Sequence, residues 1–226
     1  MTGVQTCALP IYPAARGATL MAMLPFMVLM AVVSGALGAA LDSTAGERER
    51  GSLEPLLMNP APRGALVAGK WAAVALVGMA IAVLSCLSFL SGQWLLRSDQ
   101  LAAMFRFGWQ EAGAFVLLLL PLAGLLAAAM MAIAIRCRSV KEAQASASLL
   151  VLVVSLLPVV SMLNQTGEKP WQLWLPVVAQ STLMTRVLKA EAITAWDLAL
   201  PALVCALLTA VVLVAVARQL GRVVAR

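Results

Sequence analysis

The sequence contains no histidine, and only 12% of its residues are charged. Without histidine, neither an HExxH zinc-protease motif nor a Ser-His-Asp triad can be built. Four cysteines are present, but none belongs to a CxxC pair, so their spacing supports neither a zinc site nor a disulfide framework. We therefore expect no catalytic residues, no metal ligands and no cofactor bound by this chain.

Apolar residues dominate instead, at 62% of the chain with a mean hydropathy of +0.95, well above the composition of a soluble domain. About 20 apolar residues cross a bilayer as a helix, and helices satisfy their own backbone groups in lipid. No stretch shows the alternating polarity of barrel strands. The sequence predicts an all-α integral membrane protein with five transmembrane helices, at about residues 18–41, 71–96, 113–135, 144–164 and 198–217.

Residues 170–185 are also uncharged, but this stretch is short and contains Pro176. It is too short to cross a bilayer comfortably, and Trp171 and Trp174 suit a membrane–water boundary. We predict a short re-entrant or interfacial helix. An ordinary extracytoplasmic loop is the alternative.

The first eleven residues, MTGVQTCALPI, have a separate explanation. Reverse-translated from a GTG start, they match a common short-read sequencing adapter along their whole length. They also lack the basic start and long apolar run of a signal peptide. We expect residues 1–11 to be an adapter-derived artefact, so that Cys7 carries no meaning and the natural protein begins further upstream. A preceding helix would then complete a six-helix subunit.

Basic residues indicate how the chain is oriented. Five spans divide the loops between two sides, and one side collects ten of the sixteen Lys and Arg. That side contains residues 42–70, residues 136–142 and the C-terminal tail. We therefore expect these three segments to be cytoplasmic in a multi-pass protein of the cell membrane. The net charge of +6 is explained by this topology, and we expect no nucleic-acid partner.

The densest charge lies between the first two predicted spans, in LDSTAGERERGSLEPLLMNPAPRGALVAGKW. Thr44 and Glu47 have capping-box spacing and predict that a helical turn begins just beyond the span. Gly51 is expected to end it, and Ser52 to start a second short helix with an apolar leucine face. The whole stretch has eight ionisable side chains, which need water or a polar partner. They are Asp42, Glu47, Arg48, Glu49, Arg50, Glu54, Arg63 and Lys70.

This segment resembles the cytoplasmic loop of ABC-2 type exporter permeases, and most closely the sodium-efflux branch, whose loop reads ExERGTLExLL followed by a Pro-containing turn and xxGK. The resemblance implies a permease subunit that couples ATP hydrolysis by a separate ABC ATPase subunit to substrate efflux, with sodium as the implied substrate. ATP and Mg²⁺ would be bound by the ATPase. A second permease copy or a paralogue would complete the assembly. The ATPase-coupling residues implied are Glu47, Arg48, Glu49, Arg50, Gly51, Leu53 and Glu54.

Other interpretations remain open at this stage. The charged loop is alternatively a solvated segment that only enforces topology. The stretch GALVAGKW matches GxxxxGK, but Trp71 stands where a phosphate-binding loop needs Ser or Thr. We interpret Lys70 and Trp71 as interfacial anchors. An intramembrane enzyme or a secondary transporter is the alternative function, although no Asp, Glu, Lys or Arg falls inside a predicted span and no internal repeat is visible.

Overall fold

The computed structural model describes residues 13–51, 62–93, 107–137, 139–163 and 170–224. Residues 1–11, the proposed artefact, lie outside this range, as does the second short helix expected from Ser52. The described part is helical and contains no strand. Its long helices are α1 (Pro13–Ala40), α2 (Arg63–Gln93), α3 (Trp109–Ala134), α4 (Val140–Leu163), α5 (Pro176–Leu188) and α6 (Ala195–Val224).

Five of these helices, all except α5, are long and apolar enough to cross a membrane. They confirm the five predicted spans, and the chain is a multi-pass α-helical membrane protein. The helices extend past the predicted limits, however. Helical structure continues from α1 through residues 41–49 as a π-helical segment and a short helical turn. The α2 helix begins at Arg63 rather than at residue 71. Hydropathy marks where lipid contact ends, whereas a helix continues for as long as its backbone finds partners.

Helices α1 and α3 form the centre of the bundle. In the most apolar stretch of each, 56% of residues are buried, whereas in α2, α4 and α6 the share is 22%. Helix α3 packs against α1, α2, α4, α5 and α6. The outer helices expose large apolar side chains such as Leu76, Leu149 and Leu207, as lipid-facing surfaces require. The central core includes Val28, Leu29, Val32, Phe115, Leu119, Leu122 and Met130.

Small residues permit close helix contacts in this bundle. A Cβ atom at Gly35 of α1 would collide with the Ile81 side chain of α2. On α3, the Trp71 indole of α2 lies against Gly124 and donates a hydrogen bond to its carbonyl at 2.8 Å. These contacts are packing between spans rather than ligand sites.

Helix α5 is the short element predicted between the fourth and fifth spans. A 3₁₀ turn, Pro170–Trp174, leads into it, and Pro176 occupies its first turn, where the missing N–H is tolerated. Eight consecutive residues, 177–184, are buried, and α5 packs against α1, α3, α4 and α6. The ordinary-loop alternative is therefore wrong. Burial on all sides fits a re-entrant helix better than an interfacial one, which would leave one face open.

One end of the bundle collects the charged sequence and is called the charged end below. The last turns of α6 lie there, because Val216 packs against Val67 in the second turn of α2, with Ala132 and Ile135 of α3 beside them. Thus α1 and α3 end, α2 and α4 begin, and α6 ends on the same side. The described parts of the three segments with the basic excess share this end, as the topology prediction requires.

Candidate functional site

The charged sequence continues α1 instead of starting a new helix. After Ala40 the chain passes through a π-helical segment, Leu41–Gly46, and then an α-helical turn, Glu47–Glu49. The predicted capping box is wrong, because Gly46, which precedes the turn, already has helical backbone angles and no free N–H group awaits a cap. The Thr44 side chain is buried, and its hydroxyl has no partner among the described residues.

Gly51 ends this extension, as predicted. Its φ of 68° lies in the left-handed region that other residues avoid. The Arg50 N–H donates to the Gly46 carbonyl at 3.0 Å and the Gly51 N–H to the Arg48 carbonyl at 3.2 Å. The segment 47–51, called the charged turn, is therefore a stiff projection of a membrane-spanning helix rather than a slack loop.

Glu47 joins the charged turn to α2. Its carboxylate forms an ion pair with the Lys70 ammonium, which also donates to the Ser43 carbonyl at 2.5 Å. Both side chains are partly buried, with 16% of Lys70 and 32% of Glu47 exposed. Lys70 therefore contacts the π-helical segment and the charged turn together. Lys70 and Trp71, which we predicted to be interfacial anchors, both contact neighbouring helices.

Arg48 joins the charged turn to the end of α3. Its guanidinium donates to the carbonyls of Ile135 at 3.2 Å and Cys137 at 3.3 Å. Ile135 follows the last helical residue of α3, where carbonyl groups lack intrahelical donors and the helix dipole is negative. A cation at this position satisfies both needs.

Glu49 joins the charged turn to the start of α4. Its carboxylate accepts a hydrogen bond from the Val140 N–H at 2.9 Å, at the first residue of that helix. The N-terminus of a helix carries free N–H groups and a partial positive charge, so a carboxylate stabilises it. Ser139 completes the cap by accepting from the Glu142 N–H at 3.3 Å. Adjacent residues 48 and 49 thus cap two helix ends of opposite polarity.

The predicted coupling residues consequently separate into three groups. Glu47, Arg48 and Glu49 make contacts within the chain, whereas Arg50 and Gly51 are exposed. Leu53 and Glu54 lie outside the described residues. Sequence reasoning missed the turn between α3 and α4, residues 135–140, as the partner of the charged turn. The spacing of Ser139 and Glu142 (S-x-x-E) was the available signal for a helix start there.

The GxxxxGK match at residues 64–71 is not a phosphate-binding loop. These residues lie inside α2, which is continuous from Arg63 to Gln93. A phosphate-binding loop needs a strand before it and free backbone N–H groups that face the ligand. In a continuous helix, carbonyl groups of the same helix occupy those N–H groups.

A second polar cluster lies far from the charged turn in sequence, inside α5. Gln180, Ser181 and Thr182 are buried there. The Ser181 hydroxyl donates to the Val178 carbonyl at 2.9 Å. The Gln180 amide contacts the Cys205 sulfur of α6 at 3.9 Å, and its carbonyl oxygen has no partner among the described residues.

The five spans, the short buried helix α5 and the charged projection define a polytopic α-helical membrane protein, and comparison with known families agrees. The model of the ABC-2 family transporter proteins matches residues 9–220, and the chain belongs to this family. Over 156 residues the chain is 39% identical to the ABC transporter permease protein NatB of Bacillus subtilis (strain 168). That alignment covers 68% of this chain and 39% of NatB.

Proposed function

We propose that this chain is the permease subunit of an ATP-driven exporter and that a separate ABC ATPase subunit docks at the charged end. The observation that carries the proposal is the anchoring of the charged turn. Glu47, Arg48 and Glu49 connect it to α2, α3 and α4, respectively. A force applied to this turn would reach four spans without slack. A loop that only sets topology needs no such contacts.

In this proposal the permease itself does not hydrolyse ATP. The ATPase binds ATP and Mg²⁺, and its closure moves the charged turn. Two permeases, identical or paralogous, would work with two ATPase subunits. The resemblance of the charged loop to the sodium-efflux branch makes Na⁺ the first substrate to test.

The charged end is cytoplasmic in this proposal, because soluble ATP is there. A cysteine at Arg50 should react with an impermeant maleimide only from the cytoplasmic side. A cysteine at Lys189, which is 59% exposed and precedes α6 at the opposite end, should react only from outside. The parent chain controls for its own cysteines, of which Cys86, Cys137 and Cys205 are buried. Reversed labelling would overturn the orientation.

Transport is tested with the permease and its ATPase reconstituted in liposomes loaded with ²²Na⁺. ATP on the cytoplasmic face should drive Na⁺ movement, and Arg50→Glu should reduce both transport and ATP hydrolysis several-fold, because it reverses an exposed charge at the docking site. Lys189→Glu is the control. ATP-driven movement of another substrate, without movement of Na⁺, would change the proposed substrate and leave the docking proposal standing. Full transport and full ATP hydrolysis in Arg50→Glu would defeat the docking proposal.

A further inference from the structure

We infer that the ATPase docks on a composite basic surface that fits an acidic groove. Arg50 of the charged turn forms this surface together with Arg136 and Lys141 of residues 135–137 and 139–141, called the second turn below. The inference rests on the proposed function and deepens it. Arg136 lies between α3 and α4 and Lys141 in the first helical turn of α4, about 90 residues further along the chain than the charged turn.

The first step is the connection between the two turns. Arg48 binds the carbonyls on both sides of Arg136, at Ile135 and Cys137. Glu49 binds the Val140 N–H, one residue before Lys141. Arg50 directly follows Glu49. The backbone positions of all three basic residues therefore lie within one or two residues of a contact between the turns, and the two turns present one continuous surface.

The second step is the distribution of charge on that surface. Arg50, Arg136 and Lys141 are exposed, and none forms an ion pair with a described residue. The nearby acids are largely engaged: Glu47 pairs with Lys70, and Glu49 caps α4. Asp42 and Glu142 are also exposed at this end. The unpaired charge that faces outward is therefore mainly positive, which complements acidic side chains on a partner.

The third step concerns Lys141 itself. It occupies the first turn of α4, where the helix dipole disfavours a cation. Because a cation interacts unfavourably with the dipole at this end of the helix, we expect Lys141 to have a role outside α4.

The test uses the permease in vesicles of phosphatidylcholine, with and without anionic phosphatidylglycerol. It measures the binding of the purified ATPase subunit at two salt concentrations. The double variant Arg136→Glu/Lys141→Glu should bind about tenfold more weakly than the parent, with a flatter salt dependence. Lys189→Glu reverses an exposed charge at the opposite end of the bundle and should bind within twofold of the parent. Lys141→Glu alone is its matched single change. The neutral pair Arg136→Gln/Lys141→Gln should show an intermediate loss if the reversed pair does not fold.

The results separate this inference from the proposed function. Weaker binding in Arg50→Glu with parental binding in both pairs at 136 and 141 overturns the composite surface and leaves docking at the charged turn intact. Parental binding in every variant defeats both. A defect that appears only in vesicles containing anionic lipid assigns Arg136 and Lys141 to headgroup contacts and also overturns the inference.

Discussion

The charged end and the region of α5 use polar groups in different ways. At the charged end, polar groups connect elements: Glu47 to α2, Arg48 to α3 and Glu49 to α4. In the middle of α5, hydroxyls bond their own helix, as Ser181 does with Val178 and Thr185 does with Ser181 at 2.8 Å. Bonds between elements hold their relative positions, whereas bonds within a helix leave its position to packing.

The two regions therefore suit different tasks. The charged end is a braced unit whose side-chain contacts connect several spans. The polar middle of α5 is fixed by the surrounding apolar side chains, and its described ionic contact with another helix is near its end, where Arg186 meets Asp197 of α6 at 3.4 Å. Packing without ionic contacts allows small shifts of a helix. The predictions below measure this difference, using the free energy of unfolding in mixed micelles with SDS.

The largest effect is expected from Leu183→Ala. Leu183 is completely buried in α5 and packs in the central core. Its truncation leaves a cavity, and the free energy of unfolding should fall by about 2 kcal/mol. This value is near the lower limit for such changes, because the unfolded helices remain in lipid or detergent and no transfer to water contributes. Leu203→Ala on the exposed face of α6 is the matched control and should cost much less. Equal losses would mean that α5 is not held by packing.

Gln180→Met should have a smaller effect of opposite sign. The substitution retains side-chain length and removes a buried carbonyl oxygen that has no described partner. Removing an unsatisfied polar group should stabilise the protein by about 1 kcal/mol. A matched Gln180→Glu change would instead bury a charge and destabilise it strongly. A clear loss of stability in Gln180→Met would show that the amide has a partner in the membrane-embedded protein.

The spans and the contacts of the charged end differ in how far the sequence predicts them. The five spans were predictable because a bilayer imposes a minimum length on uncharged segments. The contact of Glu49 with Val140 was not, because it joins residues 91 positions apart and depends on how α1 and α4 pack. The capping-box prediction failed for a related reason. Its spacing assumes that a helix begins at Thr44, whereas Thr44 lies within the π-helical segment that continues α1.

Arg48→Ala tests the brace itself. The side chain is exposed, so the loss of its two hydrogen bonds should cost only about 1 kcal/mol. Amide hydrogen exchange should increase in the turn between α3 and α4, because the carbonyls of Ile135 and Cys137 lose their donor. Arg50→Ala, two residues away, is the control and should leave both stability and exchange unchanged. Unchanged exchange in Arg48→Ala would show that the charged turn does not hold the second turn.

The smallest effect is expected where the charged turn ends. An alanine at Gly51 would have to adopt a φ of 68°, at a cost of about 1–2 kcal/mol, partly offset because alanine loses less backbone entropy on folding. The net destabilisation should be about 0.5 kcal/mol. Gly69→Ala is the matched control, since that glycine is exposed within α2 and a Cβ there meets no neighbour. There the same substitution should stabilise the protein by about 0.5 kcal/mol. A gain of stability at both positions would show that the chain after Arg50 does not need the left-handed turn, and that the charged turn has a less defined end than its backbone bonds imply.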